Sequence, residues 1–195
     1  DLGGVIPAFL LFVLLLLVNG FFVLSEYAIV RVRRTQLVEL AQAGSSRARK
    51  ALHISDNLDE YISAVQVGVT GASLALGIVG EPTVSRLLMP LFGGLASISE
   101  PLVRTLSFAV SFGLVTYLTL VVGELVPKYL AIQRTLDLAL LSAYPLALVH
   151  RVLFPFLWFV NESANRVLAL VGIRATTEFD VHSEEELKLL VAAST

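Results

Sequence analysis

The chain has 195 residues, 56% of them hydrophobic and only 15% charged, with a formal net charge of -2 and a mean hydropathy of +0.80. A soluble domain carries about 25% charged residues, so this composition excludes an ordinary soluble globule and points to an integral membrane protein. Cysteine is absent, which excludes disulfides and thiolate metal sites, and three isolated histidines, His53, His150 and His182, do not make a zinc set.

The first predicted span covers residues 7–30 and ends at Arg31, Arg33 and Arg34. Its apolar run is too long for the core of a signal peptide, so it is read as retained. Residues 35–57 have helix-forming composition interrupted at Gly44-Ser45-Ser46, which predicts a helical hairpin within 31–60. The second span covers residues 61–80 and contains no charge. Residues 82–101 hold three prolines and the pair Gly93-Gly94, and read as a turn-rich connector. The third span covers residues 105–126, with Lys128 and Arg134 just beyond it. Crossing the hydrocarbon core takes about 20 helical residues, and each run meets that length.

Residues 136–173 leave two readings open. Pro145 and Pro155 would kink a helix, and His150-Arg151 divides the apolar stretch. A bent helix lying in the inner interface fits, with Tyr129, Tyr144 and Trp158 at headgroup level and Arg151 and Arg166 snorkelling. A fourth span is the alternative. The interfacial reading is favoured, because a span would carry His150-Arg151 through hydrocarbon. Ser183 followed by Glu184, Glu185 and Glu186 has the spacing of a capped helix start, so residues 176–195 read as a cytoplasmic helix that continues into a longer protein.

Basic residues crowd between spans one and two, whereas only Arg86 and Arg104 lie between spans two and three. The positive-inside rule then puts the amino terminus outside and the carboxy terminus in the cytoplasm. The fold class is all-α integral membrane: a three-span core over 1–134, a belt helix over 135–175, and the cytoplasmic helix.

Each span carries a small polar cluster: Asn19-Gly20 and Ser25-Glu26, then Gly68, Thr70, Gly71, Ser73 and Gly77, then Thr116, Thr119, Gly123 and Glu124. One reading makes them a single hydrophilic site. The plainer reading treats the glycines as close-packing positions and the hydroxyls as bonded to their own helices. A carboxylate at the end of a charge-free span, as Glu124 is, is costly in lipid and is more often kept for an ion or proton. Its plainer reading is an ion pair with Lys128 four residues on. Pro127 suggests a broken helix just there: it cannot donate to the Gly123 carbonyl, which is left free as a candidate oxygen ligand.

In order, these strings resemble a known family. Asn19-Gly-Phe-Phe-Val-Leu-Ser25-Glu26-Tyr-Ala, Gly68-Val-Thr-Gly-Ala-Ser73-Leu-Ala-Leu-Gly77, Gly80-Glu81-Pro82 and Gly123-Glu124-Leu-Val-Pro127-Lys128 are similar to the transmembrane domain of the CorC/cyclin M (CNNM) magnesium transporters. His182-Ser183-Glu184-Glu185-Glu186-Leu187 resembles the join that precedes that family's paired CBS domains. The resemblance implies a homodimer in the cell membrane, inner or plasma, with three spans per chain. It also implies a juxtamembrane belt, a cytoplasmic CBS pair outside this chain, and Mg²⁺ export driven by Na⁺ entry.

Mg²⁺ is hard, takes six oxygens at about 2.0–2.1 Å and sheds water reluctantly. Carboxylate, hydroxyl and carbonyl oxygens are the ligands on offer. The expected direct ligands are Glu124, Ser25 and Ser73, supported by the Gly123 or Gly71 carbonyl and by Asn19 or Thr70. Glu26 is expected to pair at the interface near Arg31. Glu81 either guards an outer exit or caps its helix. Pro127 and Lys128 flank the inner end of the pathway. A second function class is a Mg²⁺-sensing scaffold that signals to its cytoplasmic domains without transport. A third is an accessory of proteolysis or secretion whose polar residues only pack. No nucleophile–base pair or HExxH string suggests an enzyme, and the basic residues follow span ends rather than a nucleic-acid surface.

Overall fold

The computed structural model describes residues 2–92 and 100–170. Every element among them is helical: α1 (Leu2–Arg31), α2 (Arg34–Gln42), α3 (Ser46–Asp56), α4 (Leu58–Phe92), α5 (Glu100–Leu118), a π-helical segment (Thr119–Leu125), α6 (Val126–Gln133) and α7 (Thr135–Leu170). The residues at 93–99, with the Gly93-Gly94 turn, and those from 171 on, with the Ser183–Glu186 helix start and the end of the expected belt, lie outside the described residues.

Four helices are long and apolar enough to cross a membrane: Gly4–Arg31, Leu58–Pro90, Pro101–Gln133 and Thr135–Leu170. The sequence reading has three. The additional one is the segment read as a bent belt, and it is one helix of 36 residues that runs through Pro145 and Pro155. A proline removes one backbone hydrogen bond, whereas leaving the helix in apolar surroundings would strand many. His150, which divides the apolar stretch, packs against the start of α4. Its ring lies 4.4 Å from the Tyr61 ring, and its Nε2 is 3.8 Å from Glu60 Oε2.

Two expectations about helix ends are corrected on the same physics. The connector after span two is shorter than 82–101, because α4 continues through Pro82 and Pro90 to Phe92. The Thr83 hydroxyl, next to Pro82, donates to the Val79 carbonyl at 2.6 Å. Span three is not broken at Pro127 either. The chain passes through the π-helical segment into α6 without leaving the helix.

α2 and α3 stand on either side of the expected interruption. Gly44 turns the chain at φ 96, a backbone state that suits glycine. Ser45 then caps α3 by accepting from Ala48 N–H at 3.3 Å. Arg34 Nε donates to Asp56 Oδ1 at 2.9 Å across the pair. That hydrogen bond, then the carboxylate's charge, raises the Arg34 guanidinium above its ordinary value.

Residues 1–153 form one unit of the chain and 154–195 a second. In the first, α1 packs chiefly along α4 and also against the π segment and α6, while α4 packs along α5. Two apolar clusters hold these helices together. One contains Phe12, Leu16, Leu76, Val84 and Val115. The other includes Phe22, Ile29, Ile54, Tyr61, Val65, Ala131 and Leu146. Many large apolar side chains face outward, among them Leu17 at 63%, Leu74 at 64% and Ile78 at 75% exposure. Such a surface suits lipid and not water.

Candidate ion site between the helices

On α1, on α4 and in the π segment one polar position falls, along the chain, between residues of the two apolar clusters. Asn19 lies between Leu16 and Phe22 on α1, and Ser73 between Val69 and Leu76 on α4. Gly123 lies in the π segment, between Leu118 and Ala131.

Asn19 is fully buried and joins the other two. Its Nδ2 donates to the Gly123 carbonyl at 3.1 Å, and its Oδ1 accepts from the Ser73 hydroxyl at 3.1 Å. The carbonyl fixes the amide's orientation, because only the NH₂ end can donate to it. Glycine at 123 leaves room for this approach. A Cβ there would stand 3.0 Å from Asn19 Nδ2.

The π segment explains why the Gly123 carbonyl is available. The Val126 N–H bonds to the Val121 carbonyl, five residues back, and Pro127 has no N–H to offer Gly123. The freed carbonyl anticipated from Pro127 is present, but its partner is an amide 104 residues away. An oxygen that accepts one such bond keeps a second lone pair. π bulges inside α-helices are frequent at functional sites.

Glu124 is half-buried, and among the described residues it makes no hydrogen bond or ion pair. The pairing with Lys128 does not form. The Lys128 ammonium lies instead over the Tyr27 ring, 4.9 Å from its centroid. A carboxylate without a partner among the described residues therefore follows Gly123 directly in the chain, and the Gly123 carbonyl is tied through Asn19 to Ser73.

The remaining predicted residues are placed elsewhere. Ser25 is fully buried, and its hydroxyl donates to the Phe21 carbonyl of its own helix at 2.7 Å. Its lone pairs remain open, but no bond links it to the Asn19 group. Thr70 and Gly71 are exposed on α4, and Gly71 lines an apolar groove with Phe22, Gly68 and Val149. Glu26 does not pair with Arg31; it borders a small cavity with Ile29, Tyr61 and Leu146. Glu81 lines a cavity of about 340 Å³ with Ser85, Arg86, Arg104 and Ser107. Pro127 is buried and Lys128 half-buried.

Two features escape the sequence reading. Tyr27 is one, since nothing in its neighbourhood announces a cation contact. Ser111 is the other: its buried hydroxyl has no hydrogen-bond partner among the described residues. Its spacing from Ser107 and Val115 along one helical face was the available signal. Among the described residues no three His, Asp or Glu side chains converge. A cation held here would need hydroxyl, amide and backbone oxygens beside one carboxylate, a set that suits a hard ion.

Over residues 10–195 the chain matches the family model described as the cyclin M transmembrane N-terminal domain. The UPF0053 protein YhdT of Bacillus subtilis (strain 168) is 45% identical over 190 residues, which cover 97% of this chain and 41% of that protein. The UPF0053 protein YrkA of the same organism is 41% identical over 186 residues, 95% of this chain and 43% of that protein. The uncharacterized protein Rv1841c of Mycobacterium tuberculosis (strain ATCC 25618 / H37Rv) is 37% identical over 191 residues, 97% of this chain and 54% of that protein. The chain thus spans 41% to 54% of the length of these curated relatives.

Proposed function

From the premise that this chain belongs to the cyclin M transmembrane-domain family, we propose that it is the ion-carrying core of a Mg²⁺ transporter that exports Mg²⁺ at the expense of Na⁺ entry. It is a multi-pass membrane protein. The observation that carries the reading is Glu124, which has no partner among the described residues and directly follows Gly123, the end of the Ser73–Asn19–Gly123 relay. A half-buried carboxylate at membrane depth needs a counter-charge, and the described residues offer it no cation. A Mg²⁺ ion supplies the charge, and Ser73, Gly123, Asn19 and Ser25 supply further oxygens. One carboxylate in the set limits affinity, which suits an ion that must be released.

The charge bias of the segments supports an outside amino terminus and an inside α2–α3 pair. The neighbours of α7 support the belt reading over a fourth span. Leu141 and Ser142 lie with residues of α1, the π segment and α6, whereas Leu148, Val149, Val152 and Leu153 lie with Phe22 and the α4 residues Val67, Gly68 and Gly71. A helix laid across the bundle exchanges neighbours in this way. The whole protein works as a homodimer with a cytoplasmic CBS pair.

The test is flux from liposomes that hold the full-length protein and an internal Mg²⁺ dye. Mg²⁺ movement that quickens with an opposing Na⁺ gradient is expected. Mg²⁺ binding with no flux under any gradient would favour the sensing scaffold instead.

A further inference from the structure

Lys128 follows Glu124 by four residues, the spacing at which a helix brings opposite charges together. They do not meet. The ammonium rests on the face of Tyr27, 4.9 Å from the ring centroid, and Glu124 has no ion pair among the described residues. Tyr27 belongs to α1, immediately after Ser25-Glu26, whereas Lys128 belongs to α6, and α1 packs against α6. The contact is therefore a tertiary one that the fold imposes on a local pair.

We infer that Tyr27 is a positioning residue: its ring holds Lys128 away from Glu124 and so keeps the carboxylate available to a divalent cation. An aromatic face attracts an ammonium through its quadrupole and offers no carboxylate in exchange. Without that face, the carboxylate at pairing distance along the lysine's own chain segment is Glu124, four residues before it. A tethered ammonium there competes directly with a metal ion for the same oxygens. Tyr27 thus acts through Lys128, and it touches neither the ion nor its ligands. The inference rests on the reading of Glu124 as an ion ligand.

The experiment measures Mg²⁺ binding by calorimetry, with MgCl₂ as the titrant and the protein in lipid nanodiscs. Tyr27→Leu should weaken binding about fivefold, the factor that an exposed cation–π contact represents. Tyr27→Phe keeps the ring face and should bind like the wild type. Lys128→Gln should bind at least as tightly as the wild type, since the competitor is gone. The double variant Tyr27→Leu/Lys128→Gln should recover what Tyr27→Leu loses. A purely structural tyrosine gives a different pattern, in which the loss persists in the double variant, and that result overturns the inference. Tyr27→Leu with unchanged affinity overturns it as well, while leaving Glu124 as a ligand. If Glu124→Gln binds Mg²⁺ like the wild type, the ion-site reading itself fails and the role of Tyr27 falls with it.

Discussion

A buried amide destabilises a membrane bundle unless both of its ends are met, and Asn19 meets both across two other helices. Asn19→Leu would leave the Gly123 carbonyl and the Ser73 hydroxyl unpaired. Each orphaned group costs about 1–3 kcal/mol, so a lowered unfolding midpoint in detergent is expected along with weaker Mg²⁺ binding. The ligand variants should separate from this one. Glu124→Gln removes the charge and should weaken Mg²⁺ binding by about tenfold or more, with little change in thermal midpoint, because Glu124 holds no partner among the described residues. Glu124→Asp should also weaken it, since octahedral Mg²⁺ tolerates little displacement of a ligand. Ser73→Ala should cost less than Glu124→Gln. Ser25→Ala should cost least, because that hydroxyl is already bonded to Phe21. The exposed Glu39 on α2 serves as the control, and Glu39→Gln should be neutral. Calorimetry across this series checks the order, and wild-type affinity in Glu124→Gln would remove the carboxylate from the site. The identity of these residues was legible because polar groups stand out in apolar runs. The linkage was not: Asn19 finds Gly123 across 104 positions, and no local pattern encodes such a contact.

Proline carried opposite lessons at the scale of the element. At Pro127 its meaning was legible, since a missing N–H must free the Gly123 carbonyl whatever the fold. The form was not, because the sequence reading expected a break and the chain makes a π segment instead. At Pro82, Pro145 and Pro155 the same residue was over-read as an end or a sharp bend. Rules for helix ends come largely from chains in water, where a freed carbonyl bonds to solvent. In apolar surroundings no such partner exists, so helices continue and neighbouring side chains repair the loss. Pro127→Ala tests the element directly. An alanine N–H at 127 can bond the Gly123 carbonyl and compete with the Asn19 amide. The expected result is Mg²⁺ affinity lower by about threefold to tenfold, with a thermal midpoint equal to or above that of the wild type. A variant with lower stability and intact affinity would mean that the proline braces α6 against Gly20, where a Cβ would stand 3.1 Å from Pro127 Cγ, and does not shape the site.

For the whole molecule the sequence was most informative about class and least about contacts. Long charge-free runs leave no soluble alternative, so the all-helical membrane fold was legible. The number of candidate spans was not, since α7 has the length of a span and neighbours on several helices. Assembly is where the surface gives the clearest guidance. Thr70, Gly71, Leu74, Gly77 and Ile78 form one exposed stripe along α4, at the spacing of a single helical face. On α5, Gly113 is exposed as well. Small residues let helix backbones approach closely in lipid, where packing rather than burial drives association. Among the described residues a Cβ at Gly77 or Gly113 meets nothing within 4 Å. Gly68 differs, because a Cβ there would stand 2.5 Å from the Phe22 ring. This contrast allows folding and assembly to be separated. Gly77→Leu and Gly113→Leu should keep the wild-type thermal midpoint in detergent yet lose the crosslinked dimer in lipid. Gly68→Leu should lower the midpoint by overpacking, a cost of about 1–3 kcal/mol. A wild-type chain that stays monomeric at every protein-to-lipid ratio would end the dimer proposal. A Gly77→Leu/Gly113→Leu chain that still crosslinks as a dimer would move the seam to another face.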